Sequence, residues 1–384
     1  MAAPSAPRLG AIDALRGLVV VLMLLDHVRE TFFLQHQVSD PMVVAETSPG
    51  LFLSRLLSHL CAPVFVFLAG LSAFLYGSRQ GDDGRAAVSA FLFKRGLFLV
   101  LLEITVVNFA WTFEFPPTRV FLQVIWVIGL SMIALAGLSW LPRRALIAVG
   151  FALAAGHALL DGLHFPTGHP MHVPWAVLHD RGWIEVSGAL RLRTSYPLLP
   201  WIGVIALGYA AGPWFAPGAD EGLRRRRLLA WGIGLLSGFV VLRALDVYGD
   251  KPWAADETAL TTAMGFVNLT KYPPSPLFIA LTLGVGLLAL RAFDRRPGAA
   301  WLRPLTVFGA TAMFFYVLHL YVLKLLYLGA RAVWGDDQGE FFGFDTMWAV
   351  WSCTVVLAVA LYPPVKAFAA FKARRRDLAW LKYL

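Results

Sequence analysis

Cysteine is almost absent from this chain: two residues of 384, Cys61 and Cys353, and both fall inside long apolar runs. That excludes a disulfide framework as the organising principle. Charge is scarce as well. Asp, Glu, Lys and Arg make up 15% of the residues, against about 25% in ordinary soluble domains. Missing too are a convincing internal repeat and a long low-complexity linker. The first apolar run has no small-x-small cleavage site and continues into a full span, so it is expected to stay as helix one.

Hydrophobic residues, by contrast, form 58% of the chain and gather into runs of roughly 18 to 25, long enough to cross a hydrocarbon core as helices. The pattern predicts an all-α polytopic membrane protein, a single domain over 1–384, with about ten transmembrane helices. They are placed at 11–28, 52–76, 91–112, 120–140, 143–160, 196–213, 228–246, 274–291, 304–328 and 347–365. Only Pro142 and two arginines separate the fourth from the fifth. The segment 161–195 is long enough to fold over a site, and 366–384 forms a basic tail.

Orientation follows from where Lys and Arg fall. With the N-terminus and C-terminus in the cytoplasm, the inner segments hold 21 basic residues and six acids, and the outer loops hold eight and fifteen. The net charge of +9 is thus a topology signal and gives no support for nucleic-acid binding. The run Arg224 to Arg227 reads as an anchor against anionic lipid.

Ionisable groups inside spans are costly and face a protein interior or a watery cavity. The candidates are Arg16, Asp26, His27, His59, Glu103, Arg243, His319 and Lys324. In this topology all nine histidines lie in the outer half or beyond it, which points to chemistry near the outer side. Arg16 and His27 are eleven positions apart, three helical turns plus about 20°, so they share one face at about 16 Å separation. The plainer alternatives are an inner-end anchor for Arg16 and a helix-packing histidine for His27. Asp26 is turned about 100° from His27 and is not assumed to orient it, though it stays among the catalytic candidates.

His59 sits near the outer end of the second helix at about the depth of His27, ahead of Pro63, which is expected to kink it. Ala69, Gly70, Ser72 and Ala73 form a small-residue surface for close helix contact. Asn268, Lys271 and Tyr272, in "FVNLTKYPPSP", could present polar groups to an acceptor or merely start a helix. Tyr316 and His319 lie three apart on one face. Glu103, followed by Asn108, could be a buried partner for a basic group. The run "HFPTGHPMH" lacks the thiolates or carboxylates of a zinc site, so no metal is expected.

Taken together, "RLGAIDALRGLVVVLMLLDHVRETFF", "CAPVFVFLAGLSAFL", "YPLLPWIGVIALGYAAG", "KYPPSPLFIALTLG" and "FFYVLHLYVLK" resemble the bacterial heparan-α-glucosaminide N-acetyltransferase catalytic-domain family. The Arg-x10-His pattern of helix one is similar to the wider acyltransferase-three-like superfamily. The resemblance runs from Arg8 to about Lys324. It implies transfer of an acyl group from cytosolic acyl-CoA, most simply acetyl-CoA, to a sugar or glycan hydroxyl or amine across a bacterial inner membrane. Acetyl-CoA is then a co-substrate, with no permanently bound cofactor, and an envelope glycan or other small acceptor is the partner; a homo-oligomer stays open. The superfamily pattern selects His27 as catalytic, while counting from the Arg-Gly pair of the family's lysosomal member selects His36. Arg16, with Lys94 and Arg95, is suited to the phosphates of CoA. Two competing readings remain: a secondary transporter using Arg16, Glu103 and His319 as its path, though matching halves are missing, and a non-catalytic partner using 161–195 as its contact surface.

Overall fold

A computed structural model describes residues 7–81, 84–375, 377, 378 and 381. Asp82 and Asp83, and Arg376 and Lys382 of the expected tail, lie outside these described residues. The chain opens with α1 (Pro7–Phe32), α2 (Pro49–Ser58), α3 (Cys61–Gly77), α4 (Gly84–Leu102) and α5 (Asn108–Thr112). Strand β1 (Arg119–Leu122) precedes α6 (Val124–Leu138), α7 (Arg143–Gly156) and α8 (His172–Leu178). A hairpin of β2 (Gly182–Ser187) and β3 (Leu190–Thr194) leads to α9 (Leu198–Ala211), α10 (Glu221–Leu245) and α11 (Ala259–Val267). The last helices are α12 (Pro276–Asp294), α13 (Arg303–Ala310), α14 (Ala312–Trp334) and α15 (Met347–Arg374).

Among the described residues, seven stretches are long and apolar enough to cross a membrane: Pro49–Gly77, Arg143–Leu160, Leu198–Phe215, Glu221–Leu245, Pro276–Asp294, Ala312–Trp334 and Met347–Arg374. The other three expected spans fall on α1, on α4 with α5, and on α6. α1 has 26 residues but carries Asp13, Arg16, Asp26 and Arg29, and α6 has only 15.

Several expected boundaries change. The second span breaks at His59 and Leu60 rather than kinking at Pro63, which sits in the first turn of α3, where a missing N–H costs no helical hydrogen bond. The ninth divides at Thr311, whose backbone (φ −130°, ψ 34°) leaves helical geometry. Through Pro363 and Pro364, α15 continues to Arg374, so the expected tail is helical in its first part. The fold is predominantly helical, as the all-α expectation has it, with one small sheet added. A three-stranded sheet, order β1-β3-β2, has β1 parallel and β2 antiparallel to β3. "WIEVS" and "LRLRT" alternate in the period of two that strands require.

The chain forms two compact units, each discontinuous in sequence. One comprises Met1–Cys61, Trp253–Asn268 and Leu288–Leu384, the other Ala62–Pro252 and Leu269–Leu287. In the first, α1 is the axis, with Ala14, Val19, Val20, Leu24 and Val28 buried and α13, α14 and α15 packed around it. α1 and α13 meet backbone to backbone. A Cβ on Gly17 would lie 1.8 Å from the Leu305 carbonyl oxygen, and one on Gly309 1.8 Å from that of Asp13. In the second unit α4 packs on α6 and α7 on α9. The small-residue surface of α3 does what its composition suggested: a Cβ on Gly70 would stand 2.0 Å from the Ile205 carbonyl oxygen of α9.

The α1–α13 crossing is testable. Gly17→Ala and Gly309→Ala should each sharply lower the thermal unfolding midpoint in detergent or prevent accumulation. Gly10→Ala, with open space around its Cβ, should be neutral or stabilising by up to about 1 kcal/mol. Equal midpoints for all three would refute the close approach.

Candidate functional site

In the first unit, α1 and α14 bring together three of the expected residues. His27, Tyr316 and His319 are buried, at 7%, 2% and 0% exposure. His27 Nδ1 lies 2.7 Å from His319 Nε2, and His319 Nδ1 lies 2.7 Å from the Phe315 carbonyl oxygen, one turn back on α14. A carbonyl only accepts, so Nδ1 of His319 carries its proton and, in the neutral ring, Nε2 holds a lone pair. His27 must then donate from Nδ1, which puts its own lone pair on Nε2. The two rings lie nearly parallel, 5.0 Å apart, and Tyr316 meets His27 edge-on at 5.9 Å. An imidazole whose tautomer is imposed in this way can act as a base or a nucleophile through Nε2.

Asp26 faces another way, as its 100° rotation implies. Its Oδ1 accepts from Arg29 Nε at 3.1 Å and from Arg55 of α2 at 3.2 Å. Glu30 accepts from Arg29 at 2.9 Å. Two acids and two guanidiniums therefore neutralise one another beside His27. Buried charges are tolerated when they are paired and hydrogen-bonded in this manner.

The remaining candidates of this unit are separate. Arg16 donates to Asp13 at 2.7 Å and to the Gly309 carbonyl at 3.2 Å, so its guanidinium sits at the α1–α13 crossing. His59 is buried and terminates α2 through its backbone N–H to the Arg55 carbonyl. His36 is exposed and packs on Phe33, ring centres 4.5 Å apart. The Asn268 amide accepts from Met42 N at 3.1 Å and donates to Met42 O at 2.6 Å, a two-point clasp on the backbone that follows α1.

The second unit holds Lys94, Arg95, Glu103, Lys271 and Tyr272. Lys94 is exposed, and Arg95 lies over the Phe91 ring at 5.8 Å. Glu103 is fully buried at the start of a π-helical turn. It accepts from Trp126 N at 3.0 Å, in the first turn of α6, whose own N-cap Gln123 provides no side-chain bond. The carboxyl group therefore caps α6 by accepting from one of its first backbone N–H groups. Asn108, expected alongside it, ties β1 instead, through Arg119 O at 3.0 Å and Phe121 N at 3.1 Å. Lys271 and Arg181 lie over the Tyr272 ring at 5.2 and 4.8 Å, and the Tyr272 hydroxyl donates to that of Tyr196 at 3.2 Å. Asp250 anchors this loop, accepting from Thr270 N at 2.9 Å and from the Ser275 hydroxyl.

Sequence reasoning missed two features. Arg29 and Arg55 were not singled out, although two arginines near an acid on neighbouring helices are the signal such a cluster leaves. In the second unit His179, 2% exposed, has Asp180 beside Nδ1 at 3.1 Å and Asp161 beside Nε2 at 3.2 Å, with the His157 carbonyl oxygen also 3.1 Å from Nε2. Burial pushes the Asp161 carboxyl up from its ordinary range, and the neighbouring His179 pulls it back. The histidines of "HFPTGHPMH" bind locally: His164 to Asp180 at 3.0 Å, and His172 to the Phe165 carbonyl at 2.9 Å.

Against known families, residues 8–248 match the model described as heparan-alpha-glucosaminide N-acetyltransferase, catalytic. The match includes Arg16, His27, His59, Lys94, Arg95 and Glu103 and ends before His319. A search of curated proteins gives no match.

The charge cluster makes its own prediction. Asp26→Asn should leave the two guanidiniums undercompensated and cost about 3 kcal/mol. Glu30→Gln, at a half-exposed side chain, should cost well under half of that. Denaturant unfolding in detergent checks the ranking, and a reversed order would refute the cluster's dependence on Asp26.

Proposed function

The chain belongs to the heparan-alpha-glucosaminide N-acetyltransferase catalytic family, and on that premise we propose that it moves an acetyl group from cytosolic acetyl-CoA to a sugar amine or hydroxyl on the far side of a bacterial inner membrane. The observation that carries this reading is the His27–His319 hydrogen bond, which presents an unprotonated Nε2 on the opening helix of a family that transfers acyl groups. His27 Nε2 removes the proton of the acceptor as its nitrogen or oxygen attacks the thioester carbonyl. The carbon–sulfur bond breaks, and the thiolate of CoA takes the proton back. In the two-step variant Nε2 itself is acylated and the acceptor then attacks the acyl-histidine. Both routes need the same lone pair.

His319 is a positioning residue. By accepting from His27 Nδ1 it holds the productive tautomer, and when His27 is protonated the bond to a neutral imidazole strengthens. Asp26, occupied by Arg29 and Arg55, acts through the shape of the cluster and not by contacting the reacting atoms. Tyr316, edge-on to His27, is the substrate-facing candidate of the first unit. Arg16 is that unit's fixed cation for a CoA phosphate, and Lys94 and Arg95 are those of the second unit. Asn268, Lys271, Tyr272 and Glu103 shape the loops and helix ends described above, and their role toward substrate is indirect.

Purified protein given labelled acetyl-CoA and glucosamine should release CoA and form acetylated sugar. His27→Ala should lower that rate by about 10²-fold or more. His319→Gln should lower kcat while leaving KM near its original value. Full activity in His27→Ala with loss in His36→Ala would move the base to His36. Substrate accumulation in vesicles with no CoA release would establish a transporter instead. Label trapped on the protein, and lost with His27, identifies the two-step route.

A further inference from the structure

The second unit contains a crevice of about 520 Å³ between α7, α9, α10 and α12 that the transfer chemistry does not use. Its walls are hydrocarbon along nearly their whole length. At one end stand Arg143, the first residue of α7, Arg227 of α10 and Trp214, which follows α9. At the other end the Tyr248 hydroxyl donates to the Ala155 carbonyl and closes the floor. Phe151 and Trp231 stack across the side, ring centres 5.9 Å apart, and both are partly exposed. From Arg143 to Ala155 the helix rises about 18 Å, close to the roughly 15 Å of one leaflet's hydrocarbon.

We propose that this crevice holds one anionic phospholipid, its acyl chain lying along α7 and α10 and its phosphate at Arg143 and Arg227. Charge complementarity selects the occupant. Two guanidiniums at the mouth of an apolar slot match a phosphate on hydrocarbon, and Trp214 lines the same crevice, an indole of the kind that concentrates at the headgroup level of membranes. Acyl-CoA fits poorly, because the amides of its pantetheine arm would meet hydrocarbon walls and lose their hydrogen bonds. A sugar fails for the same reason. Within the run Arg224 to Arg227 the residues divide: Arg225 pairs with Glu221 at 3.1 Å, Arg224 is buried against Phe215 at 5.3 Å, and Arg227 lines the crevice. Arg143 is steered by its Nε, which donates to the Ala210 carbonyl at 2.9 Å. The site is thus a defined single-lipid pocket, beyond the diffuse attraction of a basic stretch to a charged membrane.

Full-length protein in nanodiscs of equal phosphatidylglycerol and phosphatidylcholine, released into native mass spectrometry, tests this. The wild type should retain one lipid, with phosphatidylglycerol strongly preferred. The double variant Arg143→Gln, Arg227→Gln should lower that preference roughly tenfold, as loss of charge-assisted bonds predicts. Ala280→Trp, which fills the crevice, should remove the retained lipid, while Arg144→Gln, next to the site but outside its lining, should change nothing. Thermal unfolding verifies that each variant is folded. Retention of both lipids equally by the wild type, retention of none, or an unchanged preference in the folded double variant would overturn the proposal.

Discussion

A single hydrogen bond between two imidazole rings, 2.7 Å long, is the interaction on which the candidate chemistry depends. A carboxylate in the place of His319 would bring a full charge into a fully buried position, with a desolvation cost of several kcal/mol. A second imidazole avoids that cost and still sets the tautomer, provided its own donor is satisfied. The Phe315 carbonyl satisfies it, at the i−4 position of the same helix. Thus helix geometry fixes His319, His319 fixes His27, and His27 is left with its lone pair on the outer nitrogen. The α1–α13 glycine crossing sits on the same helix axis and pins α1 among its neighbours at close range.

The charges described on α1 and α2 are paired. Asp26 and Glu30 meet Arg29 and Arg55, and Arg16 meets Asp13. The second unit satisfies its buried ionisable groups by other means: Glu103 is placed on a helix N-terminus, Asp250 on hydroxyl and amide donors, and His179 between two acids. In a medium of low polarity an uncompensated charge is the expensive element.

Much of the fold was legible because the signal was simple. Apolar runs of membrane length located most helices, and the small residues around Gly70 announced a close crossing. What could not be read depends on tertiary structure. The pairing of His27 with His319 joins residues 292 apart, and one sequence carries no record of which buried histidines meet. Glu103 looked like half of an ion pair because its partner is a helix end, which leaves no charged residue to find. Asn268 looked like a substrate ligand because an amide that clasps a backbone and one that faces a ligand have the same composition. The strands at 182–187 and 190–194 alternate clearly, but each is short, and the pairing of 190–194 with 119–122 is long-range.

The pairing of one imidazole with another also bears on the order of events in the proposed transfer. An imidazolium at His27 would be stabilised by donation into His319 and by what the substrate provides. The leaving thiolate is the natural counter-charge, since it appears as the proton arrives and needs that proton to depart as a thiol. Proton removal from the acceptor and protonation of the sulfur are therefore coupled by electrostatics, and the site gains most when charge separation stays short in distance and time. A weakly polar, fully packed environment favours that pathway, because it penalises every intermediate in which the two charges have moved apart. The same packing that makes an aspartate costly at position 319 thus makes a histidine there a coherent partner for thioester chemistry.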